Sequence, residues 1–174
     1  MPKSITSAPT ESVWDYPRPP RIELVHNYIR IVHCGILLAE TARSYRVLET
    51  SHPPVYYIPH PNIAMHLLKP SAHRSSLCEF KGLATYYTID LTLDPLLNLA
   101  DNPNAISTDA AWSYAQPTPA YADLRNYVAF YASRVDECTV DGELAVPQPG
   151  DFYGGWITSN ITGPFKGPAG TRNW

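Results

Sequence analysis

Short apolar runs broken by proline and glycine recur along the chain, and helical periodicity is nearly absent, so the pattern predicts β-strands joined by ordered loops. Residues 28–32 and 36–40 favour strand and flank His33-Cys34-Gly35, which predicts a tight hairpin with glycine where a positive φ is needed. Residues 44–49 and 55–58 predict two further strands. Between them Ser51-His52-Pro53-Pro54 forms a stiff connection, because proline cannot continue a hydrogen-bonded ladder. Residues 61–66 predict one helical turn with proline at its first position, and residues 83–91 are the longest β-favouring run. Residues 92–109 lack periodicity and read as a surface excursion. Beyond them the pattern predicts a strand over 110–114, a short helix over 119–125, a strand over 127–131 and a hairpin over 139–146 turning at Asp141-Gly142.

The ends differ from this body. Residues 1–12 are rich in Ser, Thr and Pro and predict a flexible terminus, followed by an extended arm over 14–20, since residues before proline avoid the helical region. The main domain is expected over 13–146. Residues 147–174 are rich in Gly and Pro yet carry Phe152, Tyr153, Trp156, Phe165 and Trp174, which predicts a tail wrapped on that domain. The expected fold class is mostly β, a single domain of short antiparallel strands with one or two short helices.

Composition narrows the chemistry. A chain of 174 residues can bury roughly two thirds of its unfolded surface without help from disulfides or metal. Cys34, Cys78 and Cys138 are odd in number and form no C-x-x-C pair, so neither a disulfide framework nor a zinc ribbon is signalled. Thirteen basic against sixteen acidic residues, a net charge of −3, do not suit a phosphate backbone, so no nucleic-acid partner is expected. No apolar run has the length of a membrane span and the first residues lack a leader pattern; the expectation is no membrane partner and a cytoplasmic location.

Several stretches carry polar or aromatic groups where a plain strand would carry Val and Ile: residues 11–20, 46–57, 78–82, 111–114, 127–131 and 152–157. Together they resemble the domain of unknown function 427 family over nearly the whole chain. The resemblance implies a compact, mostly β domain of the β-tent type, related in shape to zinc-bearing β-tent proteins, and it implies no reaction. Those relatives hold zinc between two C-x-x-C knuckles, whereas this chain has isolated cysteines, so a structural zinc is not carried over. The family has also been labelled nucleotidyltransferase-like. That chemistry asks for Gly-Ser followed by two aspartates spaced one apart, and the chain has neither. No cofactor is expected.

Candidate chemistry gathers around Pro53-Pro54. Glu49 lies three residues before His52, a pair suited to proton transfer near neutral pH with Glu49 orienting the imidazole; the structural alternative is a loop histidine held by backbone. Read as a strand, residues 78–81 put Glu79 and Lys81 on one face and Cys78 and Phe80 on the other. Lys81 would then pair with Glu79 or bind an anion; the plainer outcome is a solvated pair worth under ~1 kcal/mol. Arg46 suits a ligand carboxylate or phosphate, or else an internal salt bridge to Glu49. Trp112 and Tyr114, with Tyr57 and Tyr86, form either an aromatic wall for a planar or cationic ligand or ordinary core. His52, His73, Glu79 and Cys78 lack metal-ligand spacing, and no metal is expected.

Two functions stay open. One is an acid/base enzyme acting on a small molecule through Glu49, His52, Glu79 and Lys81, with Arg46, Tyr57, Tyr86, Trp112 and Tyr114 binding the substrate. The other is a module that binds a small ligand or docks a partner without turnover. The expected partner is a small polar or aromatic molecule, and edge strands with exposed aromatics are compatible with a homodimer.

Overall fold

Cys34 (φ +49°) and Gly35 (φ +74°) reverse the chain between the strands Ile29–His33 and Ile36–Thr41, the hairpin predicted from the glycine. Asp141 (φ +50°) and Gly142 (φ +84°) do the same between Glu137–Val140 and Glu143–Leu144. In this computed structural model, which describes residues 8–174, the two hairpins join through Glu137–Val140 and Ile29–His33 into a four-stranded antiparallel sheet.

A second, seven-stranded antiparallel sheet runs in the order Arg21–Val25, Ser44–Leu48, Val55–Pro59, Tyr127–Phe130, Ile106–Ser113, Gly82–Asp90, Leu68–Cys78. The fold is mostly β, and the described helical segments are short 3-10 turns. The predicted turn over 61–66 appears as His60–Asn62 and Met65–Leu67, and the predicted helix over 119–125 as Pro119–Leu124. No helix of the described residues is long and apolar enough to cross a membrane.

Side-chain alternation divides the seven-stranded sheet into two faces. Tyr56, Ile58, Ile89, Ala111, Val128 and Phe130 pack with Ile29, Ile31 and Leu38 of the four-stranded sheet in the main core. Their neighbours in sequence, Tyr57, Trp112, Ala129 and Tyr131, join Tyr86 and Tyr114 in a separate aromatic cluster. The functional question lies on that second face.

The two outermost strands of the large sheet carry little apolar alternation, and the sequence pattern does not predict them. Arg21–Val25 and Leu68–Cys78 each pair on one side only, so polar residues and Pro70 are tolerated there. The ladder between Leu68–Cys78 and Gly82–Asp90 shifts register between Pro70 and Ser75. The surface excursion over 92–109 is narrower than its composition implies: Leu91 and Ala105 at its ends are fully buried, and the strand Ile106–Ser113 starts within it.

Both ends of the described chain dock on the body. Glu11–Ser12 pairs in parallel with Ile161–Thr162, while Val13 and Tyr16 pack against Leu48 and Ile161. Glu11 and Ser12, which the sequence pattern places in a flexible terminus over 1–12, are thus paired in a strand, and residues 1–7 of that stretch lie outside the described residues. In the tail, Val146–Pro147 pairs with Trp156–Ile157, and the buried Trp156 indole donates to the Phe130 carbonyl at 3.0 Å.

Candidate functional site

The aromatic cluster forms the floor of a cavity of about 400 Å³. Tyr57, Tyr86, Trp112, Tyr114 and Tyr131 line it, from four adjacent strands and their ends. The Trp112 indole donates to the Tyr57 phenol at 3.3 Å, and Trp112 and Tyr131 sit with ring centroids 4.6 Å apart. Burial pushes the Tyr57 and Tyr114 phenols well above their ordinary range, so both stay neutral and act as hydrogen-bonding groups on an otherwise apolar surface.

One wall is built by a turn. After Ser44–Leu48 the chain reverses through Glu49 to His52, where the His52 N–H donates to the Glu49 carbonyl at 3.0 Å and Ser51 takes φ +71°. The turn brings the two side chains together: His52 Nε2 lies 2.9 Å from Glu49 Oε2. Behind the imidazole, Gln148 Nε2 is 3.1 Å from His52 Nδ1 and also donates to the Lys166 carbonyl at 2.8 Å. The Gln148 carbonyl oxygen accepts from the Gly155 N–H at 3.0 Å, which fixes the orientation of the amide. Nδ1 is therefore the acceptor, and Nε2–H donates to Glu49.

This reverses the order expected from the sequence. His52 lines the cavity but is only 6 % exposed, and both of its ring nitrogens are engaged by Glu49 and Gln148. Gln148 and His52 orient Glu49. Burial pushes the Glu49 carboxyl up, but the hydrogen bond from His52, with the charges of Lys81 and Arg18 nearby, holds the group below its ordinary value of 4.5. At neutral pH Glu49 is a carboxylate on the cavity wall. Among the described residues no hydrogen bond engages its Oε1.

Another part of the lining is a hairpin turn. Cys78 pairs with Gly82, so Glu79-Phe80-Lys81 is a three-residue loop with Gly82 at φ +108°, and the strand alternation expected for Glu79 and Lys81 does not apply. All four of Cys78, Glu79, Phe80 and Lys81 line the cavity. Thr118 pins the loop from outside, its hydroxyl donating to the Phe80 carbonyl at 2.6 Å and its N–H to the Lys81 carbonyl at 3.1 Å. The Lys81 ammonium stands 5.8 Å from the Tyr114 ring centroid.

Arg46 does not line the cavity. Period two places it on the sheet face opposite Val47, where it donates to Glu11 at 2.9 Å and Glu23 at 2.8 Å. Its salt-bridge partners are thus on the arm and the edge strand, and Glu49 is not among them. His73 also lies outside the cavity lining.

A family model described as a domain of unknown function, DUF427, matches residues 21–141. The chain belongs to this family. No curated protein matches it. The matched span of this DUF427 chain contains Glu49, His52, Glu79, Lys81 and the aromatic floor, whereas Arg18, Gln148, Tyr153 and Lys166 reach the cavity from outside it. Arg18 and Tyr153 fall in the polar and aromatic stretches 11–20 and 152–157, whereas nothing local marks Gln148 and Lys166 as site residues. The nearest signal is Gly154-Gly155: a Cβ at Gly154 would overlap the Trp112 ring, and one at Gly155 would come within 2.5 Å of the Pro53 carbonyl oxygen.

The carboxylates make stability depend on acid pH with a definite sign. In Glu11, as in Glu49, burial raises the pKa but is outweighed, here by hydrogen bonds from Arg46 and Tyr16, leaving the group below its ordinary value of 4.5. A depressed folded pKa contributes stability above the unfolded value, and that contribution is lost as pH falls through the folded value. The urea midpoint is expected to drop below pH 4.5, with a shallower drop in Glu49→Gln. An acid limb of the same slope in that variant would contradict the assignment.

Proposed function

We propose that the cavity binds a small aromatic molecule whose head group meets Glu49 and Lys81 while its ring lies on the Tyr57, Trp112 and Tyr114 floor. The observation that carries this reading is an ionised carboxylate, oriented by buried His52 and Gln148, in one cavity with an aromatic floor and an ammonium. A carboxylate held below its ordinary range is a weak base and a stronger anchor for a cationic or hydroxylic donor. The Lys81 ammonium makes no hydrogen bond or ion pair among the described residues, which suits it to a ligand acceptor.

The test compares phenylalanine, phenethylamine and phenylacetate as probes by calorimetry. The zwitterion is expected to bind tightest. Glu49→Gln should weaken the zwitterion and the amine by about tenfold and spare the acid, with Lys81→Met doing the converse. Equal affinities of wild type and Glu49→Gln for the amine would reject the anchor role.

Acid/base turnover is the second reading, favoured by the Gln148–His52–Glu49 chain, which orients a single carboxylate as a catalytic base would be oriented. It requires Glu49→Gln to lose turnover of a bound molecule while still folding.

A further inference from the structure

Among the described residues, one buried lone pair at the hairpin end of the four-stranded sheet stands without a partner. His33 is 6 % exposed, and its Nε2 lies 2.7 Å from the Asn104 carbonyl oxygen, so Nε2 carries the proton and Nδ1 is an acceptor. Among the described residues no donor reaches Nδ1. The Asp136 carboxylate is 3.7 Å away, too far for a hydrogen bond. A ring nitrogen of His33, the Cys34 thiol and an Asp136 oxygen all lie within 4.8 Å of one another, and Nδ1 is the nitrogen that faces Asp136.

Strand register brings the three groups together. Glu137 pairs with Val32, which sets Asp136 beside the end of the Ile29–His33 strand, and Cys34 occupies the first position of the hairpin turn. The Cys34 N–H donates to Asp136 Oδ2 at 2.8 Å, holding the carboxylate against the turn. None of these residues lines the aromatic cavity.

We propose that His33 Nδ1, Cys34 Sγ and the Asp136 carboxylate bind a divalent transition-metal ion, zinc foremost, with solvent in the fourth position. Metal–ligand bonds of about 2.0–2.3 Å need ligand atoms a little closer than they stand here, a change that small side-chain rotations provide. One nitrogen, one sulfur and one oxygen favour a borderline ion over magnesium or calcium, which take oxygen. The outer contacts match as well: a ligating histidine ordinarily donates its other ring N–H to a carbonyl, and His33 does so to Asn104. Asp136 is 58 % exposed at its side chain, which admits an ion and a water from solvent.

The experiment titrates chelator-stripped, full-length protein with cobalt(II), followed by zinc. Stoichiometric binding is expected, with a thiolate-to-cobalt charge-transfer band in the near ultraviolet that zinc bleaches. Cys34→Ser should abolish the band and weaken zinc binding by about tenfold or more, and Asp136→Asn should weaken it while keeping an oxygen for the Cys34 N–H. Cys78→Ser and Cys138→Ser should leave the band intact, with far-ultraviolet circular dichroism confirming the fold of every variant. A wild type without the band, a band that survives Cys34→Ser, or one lost instead in Cys78→Ser overturns the assignment.

Discussion

Gly155→Ala is expected to lower stability by about 3 kcal/mol and to detach the tail from the His52 turn. A Cβ there would sit 2.5 Å from the Pro53 carbonyl oxygen, 2.6 Å from Pro53 Cγ and 2.7 Å from Gln148 Oε1. Two of these atoms belong to a proline held by its ring, so the strain cannot be relieved by rotating a flexible side chain. The third is the oxygen that accepts the Gly155 N–H, and moving it turns the Gln148 amide away from His52 Nδ1. Urea unfolding measures the first effect, and limited proteolysis beyond Pro147 the second. Gly35→Ala is the control: its Cβ meets nothing within 4 Å, and only the backbone cost of a positive φ, about 1 kcal/mol, remains. Equal losses at the two positions would mean that the Pro53–Gly155 contact does not constrain the tail.

Arg46→Met should cost about 2–3 kcal/mol and leave ligand binding in the cavity unchanged. The Arg46 side chain is 13 % exposed and holds Glu11 and Glu23, so its loss strands two carboxylates. Removing one partner of a fully buried pair costs more, about 3–5 kcal/mol, but the Glu23 side chain is 40 % exposed and water replaces part of the interaction. Glu11 also accepts from the Tyr16 phenol at 2.6 Å, so the arm that packs Val13 and Tyr16 against Leu48 should loosen. Faster amide exchange over the arm, with an unchanged affinity for phenylalanine, is the expected pair of results. A large fall in affinity would return Arg46 to the binding site.

Arg46 and Glu49, grouped by the sequence pattern in one site or one salt bridge, are separated by the fold. Three residues apart along a strand and its end, they belong to opposite faces by simple alternation. Their partners do not follow from that spacing, because Glu11 lies 35 residues from Arg46 and Gln148 lies 96 residues from His52. Residues 78–81 fail differently. Their alternation of apolar and charged groups is also what a three-residue turn shows, and the distinction rests on Gly82 pairing with Cys78. Tyr57, Tyr86, Trp112 and Tyr114, which the sequence leaves open as a ligand wall or ordinary core, pack as one buried cluster that also lines the cavity.

By itself the sequence determined the strands with a buried face and the turns whose backbone angles only certain residues accept, as at Cys34-Gly35 and Asp141-Gly142. It also determined the residue types available for chemistry, because these properties depend on neighbours within a few positions. The tertiary structure alone decided which edge strands form, that His52 serves Glu49, and that His33, Cys34 and Asp136 meet. Each of those outcomes is a contact across strands or between the tail and the body. Such contacts depend on sheet order and register, which burial of the whole apolar pattern selects and no local stretch encodes.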